Sequence, residues 1–415
     1  MGSGLSNSFN LLYHFFMLRL LSPVDYGHLN TLIGLFMVIS VPAGTVQNTV
    51  TKFFSIFKAQ EQYPKARALL RHLLLWVSAV AGSFFLLIIL GSSHISSFLQ
   101  ISSRGLVILF GLSLAFSMII PIPWGGFQGL QKFGSLTLNL SINGGLKLIL
   151  GILFVFLGMG VFGALSAITV SYFITTLLSL LILGISMSKG KWGPDLEQIR
   201  ERPARYNFSE VYRYFFPVGL MLLCLMILTN IDLILVKHFF TPREAGYYSI
   251  AQIVGKIVFV LPLPIGMVMF PKIASLKMEI QEKKALSVLM HCLVIAALLC
   301  GGATLLSFLF PSLIIRVLSG KVYPECIPLV GIFSVNMSLF ALTLILFYYQ
   351  LATDEKGFLY PLLSLTLIQS GLILLFHKTS VQVLMVVTLI SFSLWAINLG
   401  LVFWPYKSNG RERSV

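Results

Sequence analysis

Apolar runs of about 17–25 residues, long enough to cross the hydrocarbon core of a bilayer, recur along the chain with short polar breaks between them. The breaks predict twelve spans, near 4–21, 28–50, 73–92, 105–127, 137–157, 160–186, 213–236, 247–270, 287–310, 327–350, 358–376 and 381–404. Only Gly158-Met159-Gly160 separates the fifth from the sixth. The longest break, 187–213, is polar and charged, and no break is long enough to fold as a soluble catalytic domain. This pattern predicts an all-α polytopic membrane protein.

Composition strengthens that reading. Of 415 residues, 57% are hydrophobic and 10% charged, whereas a soluble domain carries about 25% charge. The net charge of +15 would suggest nucleic acid in a soluble protein. Here the basic residues sit in the breaks, so the expected partners are anionic membrane lipids and not nucleic acid. With the N-terminus in the cytoplasm, 20 Lys and Arg fall on the cytoplasmic side and 7 on the other, Lys237 among the latter; Lys147 and Lys256 lie inside spans. That bias places both termini in the cytoplasm, in an inner membrane. The four cysteines show no ligand or disulfide spacing, so neither metal nor cofactor is expected. No basic region precedes the first span before Arg19. The expectation is a start inside the true first helix, without a cleavable signal.

The chain repeats itself. Ser22-Pro23-Val24-Asp25-Tyr26-Gly27 aligns with Thr241-Pro242-Arg243-Glu244-Ala245-Gly246, and the same offset pairs Lys65-Ala66 with Lys284-Ala285, His72 with His291 and Gly82 with Gly301. Proline stops one helix, the acid caps the next and glycine permits the tight link, so Asp25 and Glu244 read as capping residues. Six spans separate the copies, an even number, so the repeat is parallel, about an axis along the membrane normal. Two parallel six-helix lobes are expected. The N-terminal lobe with its cytoplasmic linker covers 1–200, the C-terminal lobe 201–405 and a basic cytoplasmic tail 406–415. Lobes so related would enclose a central cleft and open it to either side in turn, which is transporter architecture and not that of an enzyme.

Polar residues inside the spans mark where the cleft would lie. Lys147 falls in the middle of span five, where a charge costs about 2.5–3.5 kcal/mol on insertion scales. Asn139 and Asn143 precede it on the same helical face. Lys256 in span eight shares a face with Ser249 and Gln252. Both stripes read as cavity walls, with interhelical hydrogen bonding as the alternative. Asp232, with Thr229 and Asn230, is either the counter-charge to Lys256 or a site for a coupling cation. A difference in depth of about 8 Å argues against a direct salt bridge. Asn7, Asn10 and His14 share a face of span one, and His14 titrates near neutral pH when unperturbed. Gln47-Asn48, Asn336, Gln369 and Asn398 read as interhelical contacts. P-loop, HExxH and GxSxG motifs are absent.

Four stretches carry a family resemblance. They are Leu18 through Gly27; Gly126-Phe127-Gln128-Gly129-Leu130-Gln131-Lys132-Phe133 with the Gly158–Ala164 hinge; Asn230-Ile231-Asp232-Leu233-Ile234-Leu235 through Ser249; and Tyr323-Pro324-Glu325 leading to Tyr348-Tyr349-Gln350-Leu351-Ala352. In order and spacing the chain resembles the polysaccharide-biosynthesis, O-antigen-type flippases, whose superfamily includes the multidrug and toxin extrusion transporters and the lipid II flippases. The resemblance implies the multidrug and toxin extrusion fold. It also implies movement of a polyprenyl-pyrophosphate oligosaccharide, such as a lipopolysaccharide precursor, to the outer leaflet by alternating access. Glycan polymerase machinery is the implied partner. In that setting Lys147 and Lys256 would attract the pyrophosphate, while Asn139, Asn143 and Gln252 would bond sugar hydroxyls. Asp232, Asn230 and His14 would serve as counter-charge or in coupling to H+ or Na+. An ion-coupled drug or small-solute antiporter of the same superfamily is the alternative, and it would favour an acidic cleft. A membrane-embedded glycosyltransferase or polymerase fits less well, because the outer breaks hold only Asp25, Glu244 and Glu325 as acids.

Overall fold

Lipid offers the backbone no hydrogen-bonding partner, so a chain that stays in the bilayer satisfies its own N–H and C=O groups as helix. The computed structural model describes residues 2–101, 103–188, 208–279 and 281–412, and these are almost entirely helical. They fall into two compact units, Met1–Gly219 and Leu220–Val415. The lobe boundary expected at residue 200, and most of the expected linker, lie at 189–207, outside the described residues.

Unit one contains α1 (Gly2–Leu20), α2 (Pro23–Ile39), α3 (Val41–Ala59), α4 (Tyr63–Phe98), α5 (Arg104–Ile119), α6 (Pro121–Gly129), α7 (Phe133–Phe154) and α8 (Gly160–Ser188). Helix α9 (Phe208–Leu228) crosses the division between the units. Unit two continues with α10 (Ile231–Phe239), α11 (Pro242–Val260), α12 (Leu263–Met278), α13 (Glu282–Leu309), α14 (Pro311–Ser319), α15 (Ile327–Ala352), α16 (Leu359–Leu375) and α17 (Ser380–Glu412).

Among the described residues eight apolar stretches are long enough to span a bilayer. One of them, Phe133–Ile185 (53 residues), is a hairpin and supplies two passes. Helices α2 and α3 form one more pass, bent by 44° at the Ser40–Pro42 junction. With the shorter α16 and the less apolar α1 counted as passes, the described residues accommodate the twelve spans that the apolar runs predict. The hairpin turns through a π-helical stretch, Val155–Met159, with Gly158 at φ 84° and Gly160 at φ 52°. Glycine reaches that region without the steric cost other residues bear.

The repeated turn has a sharper structure than its acids alone suggested. Thr241 Oγ1 accepts from the Glu244 backbone N–H at 3.3 Å, and Glu244 Oε2 accepts from the Thr241 backbone N–H at 3.0 Å. This is a reciprocal capping box. At the first copy Ser22 Oγ accepts from the Asp25 N–H at 3.1 Å and donates to Asp25 Oδ2 at 2.8 Å. The hydroxyl is therefore the cap, and the acid completes it. Thr241→Ala is expected to destabilise the start of α11 by about 1 kcal/mol, read as a lowered thermal midpoint of the detergent-solubilised protein. An unchanged midpoint would count against the cap.

Burial sorts the helices. In the most apolar windows of α4 and α13 only 11% and 17% of residues are buried, against 72% for Pro324–Ala352. Spans three and nine thus face lipid at corresponding places in the repeat, and α15 is the central helix of unit two. In unit one α3 packs closely on α6. A Cβ on Gly125 would lie 2.5 Å from the Gln47 carbonyl oxygen, and one on Gly129 would lie 2.6 Å from that of Thr51. These glycines, four apart on α6, form the small-xxx-small face that lets two backbones touch.

Candidate functional site

Lys147 in unit one and Lys256 in unit two are each held between a different pair of helices. In unit one, α7 packs on both α1 and α8. Lys147 of α7 donates to Asn10 Oδ1 of α1, and its ammonium stands 4.7 Å from the centre of the Tyr13 ring. Tyr13 is itself fully buried and donates to the Ala164 carbonyl at 2.9 Å. Asn143 turns to α8, donating to Thr175 Oγ1 at 3.3 Å. Asn139 is fully buried and accepts from Ser179 Oγ at 2.7 Å. The three polar residues that share a face of α7 are thus divided. Asn139 and Asn143 join α7 to α8, and Lys147 joins it to α1. His14 stands 3.1 Å from the Tyr26 hydroxyl through Nδ1.

In unit two the span formed by α9 and α10 is broken at Thr229–Asn230. The break leaves two carbonyls without their helical partners. Gln369 of α16 donates to Leu228 O at 2.9 Å, and Gln252 of α11 lies 3.4 Å from Thr229 O. Lys256 donates to Asn230 Oδ1 at 3.0 Å. Asp232 is fully buried, accepting from the Tyr248 hydroxyl at 2.8 Å and from Gln252 Nε2 at 3.4 Å. Lys256 and Asp232 therefore belong to one polar cluster without a direct bond between them. Among the described residues neither Lys147 nor Lys256 is ion-paired. Each is held by a neutral amide, which satisfies one donor and leaves the charge uncompensated by that bond.

Further intramembrane amides make interhelical contacts. Gln47 donates to Gln128 Oε1 at 3.3 Å, Gln350 to Asn398 Oδ1 at 3.1 Å, and Asn336 to Leu384 O at 3.4 Å.

The structure corrects one assignment and supplies several residues that the sequence did not single out. Lys237, expected in an outer break, is fully buried in the last turn of α10, and its ammonium has no hydrogen-bond partner among the described residues. The helix runs on to Phe239 because residues 231–236 contain no proline or glycine to stop it, and the lysine is carried inside. Lys237→Met keeps the length of the side chain and removes a buried unpaired charge. It is expected to raise stability by about 2 kcal/mol, read as an increased thermal midpoint; a decrease would mean that the ammonium has a stabilising partner in solution. Tyr13, Tyr248, Thr175 and Ser179 complete the polar clusters. Of these only Tyr248 carried a sequence signal, lying four residues before Gln252 on α11.

The family model for polysaccharide biosynthesis protein matches residues 16–328. No curated protein matches the chain. Among solved structures, an inward-facing multidrug resistance MATE family transporter of the MOP superfamily aligns with a TM-score of 0.79 at 14% identity, over 97% of this chain and 96% of that one. The lipid II flippase MurJ, in an inward closed conformation, aligns with a TM-score of 0.71 at 13% identity, over 98% and 86%. A MOP superfamily transporter from Pyrococcus furiosus aligns with a TM-score of 0.60 at 15% identity, over 97% and 93%. At these identities the structural likeness establishes a shared fold, that of the MOP superfamily transporters. The family match spans most of the sequence, and the chain belongs to the polysaccharide biosynthesis protein family.

Proposed function

We propose that this protein moves a lipid-linked oligosaccharide, a glycan on a polyprenyl pyrophosphate, across the cytoplasmic membrane by alternating access. The observation that carries the reading is Lys147, an ammonium deep in an apolar span that is held by a neutral amide and an aromatic face. Such a charge attracts an anion far more strongly than it would in water. A pyrophosphate headgroup is an anion suited to it, and Lys256 offers a second such group. Asn143 and Gln252 lie beside the two lysines as donors and acceptors for sugar hydroxyls that have left water. Asn139 stands behind Asn143 and holds α7 on α8. Membership of a polysaccharide biosynthesis family supports a glycan as the cargo. Of the structurally similar proteins, one is a lipid II flippase, and the Pyrococcus furiosus transporter has a binding pocket of reverse polarity. The basic bias of the breaks supports cytoplasmic termini and contact with anionic lipids. A glycan polymerase is the natural partner on the outer side.

A second reading, an ion-coupled drug or small-solute antiporter, is favoured by Asp232, a fully buried carboxylate beside a broken span. In the flippase reading the same carboxylate, with Asn230, balances Lys256 or couples transport to H+ or Na+, and His14 is a second proton-accepting candidate.

Reconstitution into liposomes separates the two readings. The flippase is expected to carry a fluorescent polyprenyl-pyrophosphate oligosaccharide to the opposite leaflet and to leave a cationic dye gradient unchanged. Dye extrusion without glycan translocation would overturn the proposal in favour of the antiporter.

A further inference from the structure

Away from both lysine clusters, a polar cavity of about 420 Å³ opens where α4 ends and α5 begins. Its walls are Ser93, Ser96, Ser97, Gln100, Ile101 and Arg104. Helix α4 begins beside the basic stretch that contains Lys52, Lys58 and Lys65, and it is 36 residues long. The cavity therefore lies about 50 Å along the helix from that end, at the opposite membrane surface. Ser93 and Ser97 are one turn apart on α4 with Ser96 beside them, and Gln100 follows in the turn beyond the helix, at φ 48°. Ser96 donates to the Ile101 carbonyl and pins the turn that brings Arg104 back toward the serines. The side chains of Ser93, Ser97 and Arg104 make no hydrogen bond or ion pair with other described residues. No carboxylate lines the cavity.

At the offset that pairs Ser22 with Thr241, the segment Ser92–Gln100 corresponds to Pro311–Ser319, which is α14. There Ile315, at the place of Ser96, is fully buried, and Leu313 and Val317 are more than half exposed. At the places of Ser93, Ser97 and Arg104 the second unit carries Ser312, Arg316 and Tyr323, so its guanidinium stands on the helix itself and not after the turn.

We propose that the α4–α5 cavity binds a phosphoryl group at this membrane surface. The Arg104 guanidinium would supply a planar pair of donors to two phosphate oxygens, and Ser93 and Ser97 would donate to the remaining ones. The phosphoryl group comes either from a phospholipid headgroup or from a phosphate dissolved in the adjoining water. The assignment does not depend on Lys147 or Lys256, and it stands whether the cargo is a glycan lipid or a drug.

Calorimetric titration of the full-length protein in detergent tests it, with dihexanoyl phosphatidylglycerol and inorganic pyrophosphate as probes. Arg104→Gln and the double variant Ser93→Ala/Ser97→Ala alter exposed positions and are expected to keep the wild-type thermal midpoint. Each is expected to weaken binding about tenfold, the loss of a hydrogen bond to a charged group. If only phosphatidylglycerol binds and is weakened, the site serves a lipid headgroup. If pyrophosphate binds and is weakened, it accepts a phosphate from water. Absence of binding of both probes to the wild type, or wild-type affinity in both variants, overturns the proposal.

Discussion

Lys147→Ala is expected to abolish translocation of a polyprenyl-pyrophosphate oligosaccharide while the protein still inserts and folds. Truncating one member of a buried, hydrogen-bonded charged pair costs about 2–5 kcal/mol of binding, much of it in lost attraction for the opposite charge. That is about 30-fold or more in affinity for an anionic headgroup. The fold should survive, because the lysine leaves behind a neutral Asn10 and not an orphaned charge. Lys147→Arg keeps the charge on a larger, planar group and is expected to retain part of the activity. Lys256→Ala should show the same loss by a different route, since it frees Asn230 beside the buried Asp232. The measurements are leaflet-specific glycan labelling in proteoliposomes and, as a folding control, size-exclusion behaviour. Wild-type translocation by both alanine variants would remove the cationic-site reading and leave the membrane architecture intact.

The largest effect on stability is expected at the contact between α3 and α6. Gly129→Val should prevent unit one from folding, and Gly125→Ala should destabilise it by about 3 kcal/mol, at the upper end of overpacking costs. At Gly125 the first obstacle is backbone, and at Gly129 the Phe54 Cβ and the Thr51 carbonyl oxygen stand equally near. The added Cβ would lie 2.5 Å from Gln47 O at Gly125 and 2.6 Å from Thr51 O at Gly129. A side-chain rotamer cannot relieve such a collision, so the helices themselves must separate. Separation would also break the bond between Gln47 and Gln128 that crosses the same seam. Gly134 is a control, because nothing lies within 4 Å of a Cβ built there. Gly134→Ala is expected to leave the thermal midpoint unchanged. Equal midpoints for Gly125→Ala and Gly134→Ala would show that α3 and α6 are not in contact in solution.

Much of this was legible in the order of residues, and the reasons differ by case. The Gly158–Gly160 break between spans five and six was a weak signal, yet it marks the tightest turn in the hairpin, because two positive-φ residues are needed there. The assignment of Asn336, Gln369 and Asn398 to interhelical contacts followed from the scarcity of other partners in lipid. The Gly125–Gly129 face stood in the sequence beside a family motif, but its role as a packing surface was not apparent. The spacing of two glycines does not say which helix will meet them.

The division of labour on α7 was beyond sequence reasoning for a related cause. Asn139, Asn143 and Lys147 share a face by periodicity, but that face is wide enough to meet two neighbours. Only packing assigned the amides to α8 and the ammonium to α1. Lys237 shows the converse. A lone lysine near the end of a span reads as an outer residue because charge usually remains in water, and the continuation of α10 buried it instead.

Hydropathy and the count of apolar runs were enough to establish a many-pass helical membrane protein, and the repeated turn was enough to expect two related sets of spans. These are properties of segments, and the bilayer imposes them on each segment separately through the cost of unsatisfied backbone. Which lysine meets which asparagine, which glycine admits a neighbouring backbone and which charge lies unpaired are properties of pairs of segments. They emerged only when helices remote in sequence were packed side by side, because a side chain's partner in lipid is set by the helix beside it and not by its neighbours along the chain.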